Sequence, residues 1–258
     1  MRSKIDYAIA DVHGRADLLF PLAVACIKDA AERGASPRFV FLGDIIDRGR
    51  TSRECLDIVS ELLSTHEGSV CLKGNHEDMA LAVLSADEPD GDAVECWLHN
   101  GGFATLESYH ADPEIGLEMM RTLHGDHLRL MGGAVTSLER AGYFFAHAGV
   151  DPTRSLHDQS DHDLMWVRKP FLHHVGHLER VVIHGHEVVG DLPVVTENRV
   201  SIDTGACRSG RLTACAVDGG DLRFLQTDGS GRRVVSVDAV RLDRGLGTCL
   251  DQPFALAA

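Results

Sequence analysis

The chain has 258 residues, of which 44% are hydrophobic and 25% are charged, and its formal net charge is −14. This length and composition fit one globular domain with a sizeable core. The acidic balance argues against a general nucleic-acid or acidic-membrane binder, because those proteins present basic surfaces. We therefore expect a single domain over residues 1–258, with neither nucleic acid nor a membrane among its partners.

The cysteines and the N-terminus bear on the cellular compartment. The seven cysteines are an odd number, and none forms a C-x-x-C pair. Several lie within apolar runs, as expected for buried free thiols in a reducing compartment. The opening sequence, MRSKIDYAIADVHG, has no long apolar stretch, so no secretory signal is predicted. No stretch approaches the ~20 apolar residues that cross a bilayer. We expect a cytoplasmic protein.

The first third of the chain alternates strand and helix signals. Strand-like runs occupy residues 4–10, 38–42 and 69–73, and helical spacing occupies 15–34 and 51–66. Strands that alternate with helices predict a parallel sheet with right-handed crossovers. Such a sheet brings the carboxyl ends of its strands to one edge.

Residues 77–132 interrupt this alternation. Helix-like pieces near 77–85, 92–109 and 114–130 are joined by short polar loops. We predict a helical insert, about 77–132, that covers one edge of the sheet.

The rest of the chain is rich in strand signals. Runs at 133–139 and 142–148 precede a polar, histidine-rich stretch over 151–180, and closely spaced strand-like runs follow it. Close spacing predicts an antiparallel second sheet, and hence a sandwich flanked by helices. From about residue 237 the chain is weakly patterned, and we expect this tail, about 237–258, to lie loosely on the surface.

Polar clusters follow five of the predicted strands. In an open α/β sheet, the carboxyl ends of parallel strands form the crevice where ligands bind. Each cluster alone is more often a turn or a helix cap, but five in succession, with glycines among them, indicate a functional site. The clusters are A-D-V-H-G with Asp11 and His13, G-D-I-I-D-R-G with Asp44, Asp47 and Arg48, K-G-N-H-E with Asn75, His76 and Glu77, F-F-A-H-A-G with His147, and V-I-H-G-H-E with His184 and His186.

The clusters offer carboxylate, imidazole and amide ligands and no thiolate. This set favours Mn²⁺, Fe or Zn²⁺ over a Ca²⁺ site or a structural zinc site. Two aspartates, one asparagine and three or four histidines exceed what one ion needs, whereas two ions that share a carboxylate would use them all. Two metal ions ~3.5–4 Å apart activate a water and hold a phosphoryl group during in-line displacement.

The series D-x-H-G, G-D-x-x-D-R-G, G-N-H-E, H-A-G and G-H over residues 11–186 resembles the calcineurin-like metallophosphoesterases. It is most similar to their phosphoprotein phosphatase branch, which includes small bacterial and phage serine/threonine protein phosphatases. The resemblance implies an α/β fold, a four-layer αββα sandwich of two mixed β-sheets flanked by helices, with the helical insert. It also implies a cofactor of two divalent metal ions, with Mn²⁺ favoured and Fe or Zn²⁺ as alternatives.

The resemblance further assigns roles to the matching residues. His76 would be the general acid for the leaving alcohol, and Asp47 would orient its ring. Arg48, Asn75 and Arg168, the last from the segment D-L-M-W-V-R-K-P-F-L, would contact the substrate phosphate. The metal ligands would be Asp11 and His13 for the first ion, Asp44 as the bridge, and Asn75, His147 and His186 for the second ion.

The implied reaction is hydrolysis of a phosphate monoester by direct attack of a metal-bound hydroxide, without a phosphoenzyme. The implied substrate is a protein phosphorylated on serine or threonine, or a small phosphate ester. The alternative is a bis(5'-nucleosyl)-tetraphosphatase that hydrolyses diadenosine tetraphosphate. Asp47 favours the phosphatase, because bacterial enzymes of the other type tend to lack an aspartate there. A third alternative is a scaffold protein that keeps the fold but has no catalytic activity. The sequence argues against it, because such a protein would not need His76 and Arg48 beside a complete set of metal ligands.

Other residues have less definite roles. His184 either supports the site from outside the ligand shell or ends its strand, and Asp203 in I-D-T-G-A is expected to be structural. Three histidines have helix-face spacing, which favours a solvated helix face over a third metal site; they are His173, His174 and His177. Substrate choice is expected to depend on the insert and on the histidine-rich stretch. The sequence leaves the oligomeric state open, with a monomer favoured.

Overall fold

The computed structural model describes residues 3–242, and these form two six-stranded sheets. The first sheet has the spatial order β11-β10-β9-β1-β2-β3, where the strands are β1 (Lys4–Ile9), β2 (Ser36–Phe41), β3 (Val70–Cys71), β9 (Thr213–Asp218), β10 (Asp221–Thr227) and β11 (Val234–Val237). The second has the order β12-β7-β8-β6-β5-β4, with β4 (Ser137–Arg140), β5 (Tyr143–Ala146), β6 (Val181–His184), β7 (Val194–Val195), β8 (Arg199–Ser201) and β12 (Val240–Arg241).

Helices cover the outer faces of both sheets. They are α1 (Ala16–Glu32), α2 (Ser52–Thr65), α3 (Asn75–Leu84), α4 (Gly91–Trp97), α5 (Phe103–Tyr109), α6 (Pro113–Thr122), α7 (Gly125–Gly132), α8 (Asp161–Trp166), α9 (Lys169–Leu172) and α10 (Ala206–Ser209). A π-helical segment, Leu98–Gly102, joins α4 to α5, and a 3₁₀ turn, Leu156–Asp158, precedes α8. Helices thus occupy the segment 77–132, where the sequence predicts an insert.

The alternation of side chains along the strands explains the layers. On β2, Phe39 and Phe41 pack with α1 and α2, while Val40 and its neighbour Leu42 point into the space between the sheets. Successive strand residues point to opposite faces, so a strand covered on both sides is apolar throughout. A third apolar cluster, which includes Phe144, packs the outer face of the second sheet against α8 and α9. The four-layer αββα sandwich with two mixed sheets is confirmed.

The strand pairings confirm one prediction and correct another. The strands β1, β2 and β3 are parallel, as the alternation with helices predicts. The expectation of an antiparallel second sheet is wrong, because β5, β6 and β8 are parallel neighbours in it. The long connection through α8 and α9 returns the chain to the same end of the sheet, which a parallel pair requires. The antiparallel strands β9, β10 and β11 instead extend the first sheet beside β1.

Three smaller expectations concern the tail, the cysteines and membrane spans. The strand β12 pairs with β7, so part of the predicted tail is held by the second sheet, and residues 243–258 lie outside the described part. All six described cysteines are free; four are buried, Cys207 is half-buried and Cys96 is exposed, while Cys249 lies outside the described residues. Between residues 3 and 242, no helix combines the length and apolar character needed to cross a membrane.

Candidate metal centre and active site

Both sheets contribute to one polar cleft at the carboxyl ends of their parallel strands. The strands β1, β2 and β5 lead into turns that carry the polar clusters, and β6 leads to His186. A short loop over residues 72–74 joins β3 to α3, which begins at Asn75. Parallel pairing of β1 with β2 and of β5 with β6 brings these ends to the same side. The structure places all of the predicted metal ligands here: Asp11, His13, Asp44, Asn75, His147 and His186.

One group of donor atoms comes from Asp44, Asn75, His147 and His186. Asn75 Oδ1 lies 2.9 Å from His147 Nε2 and 3.0 Å from His186 Nδ1, and the two ring nitrogens are 3.2 Å apart. Asp44 Oδ1 lies 3.4 Å from His147 Nε2. These oxygen and nitrogen atoms converge on one point, and this donor set suits a borderline divalent cation.

A second group lies on the other side of Asp44. His13 Nε2 is 3.5 Å and His76 Nε2 is 3.8 Å from Asp44 Oδ2, whereas Asp44 Oδ1 faces the first group. The Asp11 carboxylate accepts the backbone N–H of His186 at 3.1 and 3.0 Å. This bond joins the turn after β1 of the first sheet to the turn after β6 of the second sheet. Asp44 therefore belongs to both groups of possible ligand atoms.

Hydrogen bonds fix the direction of the histidine rings. His13 Nδ1 donates to the Ile46 carbonyl at 3.0 Å, and His147 Nδ1 donates to the Leu42 carbonyl at 2.8 Å. A carbonyl oxygen only accepts, so each neutral ring keeps its proton on Nδ1 and turns the Nε2 lone pair into the cleft. Bonds of this kind orient metal-binding histidines and increase the basicity of the ligand nitrogen.

Burial determines the charge state of these groups. Burial raises the pKa of Asp11, and the nearby carboxylates of Asp203 and Asp44 raise it further. Burial also raises the pKa of Asp203 to about 7, and it lowers the pKa values of His13 and His186 to about 3 each. The neutral rings offer nitrogen lone pairs and the crowded carboxylates offer oxygen ligands with negative charge, so the residues present fit divalent cations.

Backbone strain is concentrated at the same residues. Within residues 3–242, seven non-glycine residues have positive φ, and six of them lie in the polar clusters: Asp11, His13, Asp44, Asp47, Arg48 and His186. Left-handed backbone is unfavourable for such residues, and it persists where the surrounding bonds determine it. Close packing adds a constraint at Gly185, where a Cβ would overlap the Asp11 carboxylate. The tight turns therefore set the ligand geometry.

His76 forms a buried dyad with Asp47. His76 Nδ1 lies 2.7 Å from Asp47 Oδ2, and the ring presents Nε2 to the cleft. Burial alone would lower the pKa of His76, but Asp44 and Asp47 outweigh it, so the pKa lies above its ordinary value. A ring that holds a proton near neutral pH is suited to donate it to a leaving group.

Two arginines reach the cleft. Arg48 Nη1 lies 2.8 Å from His13 Nε2, and its Nη2 lies 3.0 Å from His76 Nε2. Arg168 is more exposed, and it donates to His186 Nε2 at 3.3 Å and pairs with Glu187 at 2.9 Å. Guanidinium groups on two sides of a cluster of metal-type ligands suit an anionic, phosphate-like substrate.

A family model for the calcineurin-like phosphoesterases matches residues 7–204, which is more than half of the chain and includes every polar cluster. The chain belongs to the calcineurin-like phosphoesterase family. It is therefore a metal-dependent phosphoester hydrolase.

Three relatives illustrate the likeness. Serine/threonine-protein phosphatase 1 of Salmonella typhimurium is 26% identical over 220 residues, which cover 82% of this chain and 91% of that protein. A solved structure described as that of a proposed diadenosine tetraphosphatase has a TM-score of 0.61 at 15% identity, with 93% of this chain and 99% of that one covered. The cold-active protein-tyrosine phosphatase of a Shewanella species has a TM-score of 0.51 at 17% identity, with 92% and 81% covered.

Sequence analysis gave no role to Glu77. In this calcineurin-like phosphoesterase its carboxylate acts as a clamp that holds the backbone of the turn carrying Asp44. Its carboxylate accepts the backbone N–H groups of Asp44 at 2.7 Å, Ile45 at 2.8 Å and Gly74 at 3.0 Å. Glu77 is 2% exposed, so these bonds form away from water. The acidic residue of G-N-H-E was visible in the sequence, but its partners were not.

We expect Glu77→Gln to weaken metal binding through this clamp. The amide group would face a backbone N–H that needs an acceptor, which costs about 1–3 kcal/mol of folding stability. Loosening the Asp44 turn should lower Mn²⁺ affinity by about 10–100-fold, as for other groups that support metal ligands. Urea unfolding of the metal-free chain and calorimetric Mn²⁺ titration measure both effects. Glu88→Gln, at an exposed position, is the control; equal Mn²⁺ affinity in the two variants would contradict the clamp.

The structure also locates the histidines and the aspartate that had less definite roles. His184 is the last residue of β6, and its ring bonds Ser201 Oγ at 2.7 Å and the Gly185 carbonyl at 3.0 Å. Asp203, expected to be structural, follows β8 and raises the pKa of Asp11. The expected helix face is absent, because α9 ends at Leu172 and the three histidines lie beyond it: His173, His174 and His177.

A further group of metal-type side chains lies in the helical insert. Ligand atoms of His124, Asp126 and His127 lie within 4.8 Å of one another. Both ring nitrogens of His127 are engaged, one by the Tyr109 hydroxyl at 2.6 Å and the other by the Asp57 carboxylate at 3.1 Å. We assign this group to the packing of α2, α5 and α7.

Proposed function

We propose that this chain is a dinuclear phosphomonoesterase that removes phosphate from serine or threonine side chains of proteins. The observation that carries the proposal is the His76–Asp47 dyad beside two donor groups that share Asp44. Bound divalent ions, with Mn²⁺ favoured and Fe or Zn²⁺ as alternatives, would supply a water of lowered pKa and positive charge for the phosphoryl group. Their ligands would be Asp11, His13, Asp44, Asn75, His147 and His186.

The arginines would bind the substrate. Arg48 now lies against the Nε2 atoms of His13 and His76, and a phosphate oxyanion is a stronger acceptor than an imidazole nitrogen. We expect the guanidinium to turn to the phosphate oxygens, with Arg168 on the open side and the Asn75 amide nearby. Two guanidinium groups would also stabilise the charge that develops on the equatorial oxygens.

The dyad would serve the leaving group. His76 would give the proton on Nε2 to the departing oxygen, while Asp47 keeps Nδ1–H in place and stabilises the ring. A serine or threonine alkoxide is a poor leaving group and needs this proton, whereas a nucleotide phosphate leaves readily without one. The presence of a buried dyad therefore supports an alcohol leaving group.

The relatives also bear on substrate choice. The Salmonella protein, matched over most of both chains, is named a serine/threonine-protein phosphatase, which supports the proposal. The alternative is hydrolysis of diadenosine tetraphosphate, as the description of one structural neighbour suggests for that protein. At 15% identity that neighbour supports the fold, and the fold serves both reactions.

Side-by-side kinetics would separate the two substrates. The full chain is assayed with a phosphothreonine peptide and with diadenosine tetraphosphate, each in Mn²⁺, Mg²⁺ and Zn²⁺. We expect kcat/KM for the peptide to exceed that for the dinucleotide by about 10-fold or more with Mn²⁺, because the acid dyad accelerates departure of an alcohol. The opposite ratio would favour the tetraphosphatase.

A further inference from the structure

The helical insert reaches into the active site through Asp47. Asp47 is fully buried, and two side chains of the insert hold its carboxylate: Trp97 at the end of α4 and Thr105 in α5. We propose that Trp97 and Thr105 are positioning residues that hold Asp47, and through it His76, in the geometry of proton donation. This inference rests on the proposed phosphomonoesterase function and assigns to the insert a part in catalysis beyond bordering the cleft.

The bonds around Asp47 leave it one orientation. Thr105 Oγ1 donates to Asp47 Oδ1 at 2.6 Å, and Trp97 Nε1 lies 3.1 Å from both carboxylate oxygens. The other oxygen, Oδ2, is then directed at His76 Nδ1, 2.7 Å away. The indole N–H of Trp97 can donate a hydrogen bond but cannot accept one. It therefore favours an acceptor such as the Asp47 carboxylate over a side chain that would present a donor at position 47.

Thr105 also fixes the backbone of Asp47. Its hydroxyl oxygen accepts the Asp47 N–H at 2.9 Å while its hydroxyl hydrogen goes to the Asp47 carboxylate. Asp47 has a φ of 71°, a conformation that costs energy unless surrounding bonds maintain it. Thr105 thus contacts both the peptide and the side chain of the residue that holds His76, and it shares the Asp47 N–H with Ser52 Oγ, 3.1 Å away.

The insert makes a similar contact with the next residue. Arg48 has a φ of 67°, and its N–H donates to the Gly101 carbonyl at 3.2 Å. Gly101 itself has a φ of 108°, and a Cβ there would lie 2.8 Å from Arg48 N. Over residues 97–105, the insert therefore contacts two consecutive residues of the site, each of them in left-handed backbone.

The leaving-group dependence of turnover tests the proposal. Thr105→Val and Trp97→Phe, as Mn²⁺-loaded full chains, are compared with the wild type on phenyl phosphate and on p-nitrophenyl phosphate. A misplaced general acid slows the ester with the poor leaving group most, so we expect kcat on phenyl phosphate to fall about 10-fold or more. The fall on p-nitrophenyl phosphate should stay within about 3-fold, since p-nitrophenolate departs with little help.

Two variants serve as controls. Thr105→Ser keeps the hydroxyl and should restore the wild-type ratio of the two rates. Tyr109→Phe removes another buried hydroxyl from the same helix, one that bonds His127 and not Asp47, and should keep that ratio as well. An equal fall on both esters in Thr105→Val and Trp97→Phe, or the same change of ratio in Tyr109→Phe, would overturn the proposal.

A spectroscopic measurement is independent of turnover. In the metal-free full chain, the proton on His76 Nδ1 should give a downfield NMR signal, identified by its loss in His76→Asn. The signal should broaden or move upfield in Thr105→Val and remain in Tyr109→Phe; an unchanged signal in Thr105→Val would contradict positioning. If the wild type hydrolyses neither ester with Mn²⁺, Mg²⁺ or Zn²⁺, the proposed function fails. In that case the NMR comparison alone decides whether Thr105 positions His76.

Discussion

Replacing Asp44 with asparagine is expected to remove bound metal and to reduce phosphatase turnover by more than about 100-fold. Loss of a group that only supports a metal ligand costs up to about 100-fold, and loss of a ligand itself should cost more. Asp44 directs Oδ1 to His147 and Oδ2 to His13, so both donor groups depend on it. Asparagine has nearly the same shape, but it carries no charge and has one oxygen instead of two. The variant therefore tests the shared charge rather than the packing.

Metal analysis and kinetics measure this effect together. After equilibration with Mn²⁺ and removal of free ions, the Asp44→Asn chain should retain less than the wild-type amount of metal per chain. Asp87→Asn makes the same charge change at an exposed position of the insert and should match the wild type. Full metal content and full activity in Asp44→Asn would contradict the shared-carboxylate geometry.

Replacing His76 with asparagine is expected to give the second largest effect, and one that depends on the substrate. General acid catalysis contributes about 10²–10⁴-fold, so turnover of phenyl phosphate should fall within that range. Turnover of p-nitrophenyl phosphate should fall much less, because its leaving group is stable without a proton. The Mn²⁺ content should stay at the wild-type value, since His76 is assigned to proton transfer and not to metal binding.

The comparison with other histidines sharpens this test. His124→Asn changes a half-buried histidine of the insert that packs on Tyr109, and it should alter neither the turnover nor the ratio of the two rates. Equal losses on both esters in His76→Asn would refute the acid role. Loss of metal in the same variant would instead make His76 a ligand, as its 3.8 Å distance from Asp44 Oδ2 allows geometrically.

The local parts of the site were predictable from the sequence. Each apolar run that ends in a short polar motif marks a strand and the turn after it, and parallel pairing then requires the turns to meet. That reasoning places Asp11, Asp44 and Asn75 at one edge without knowledge of their distances. It says nothing of ring direction, because the carbonyl groups that hold the rings belong to other turns, such as Leu42 for His147.

The long-range parts were not predictable. The strands β9 to β11 form a meander whose pattern fits either sheet, and its place beside β1 depends on packing across the whole chain. Likewise, the contacts of Asp47 with Trp97 and Thr105 join residues 50 and 58 positions apart. A threonine or a tryptophan in an amphipathic helix has the pattern of an ordinary core residue, so no signal marked either as part of the site.

Stepwise metal loading tests the central claim, a two-ion site centred on Asp44, most directly. The metal-free full chain is titrated with Mn²⁺ by calorimetry while hydrolysis of p-nitrophenyl phosphate is followed at each addition. The donor geometry predicts two ions per chain and no activity in the metal-free protein, with turnover rising as the second ion binds. Saturation at one ion per chain, or full activity without metal, would contradict it.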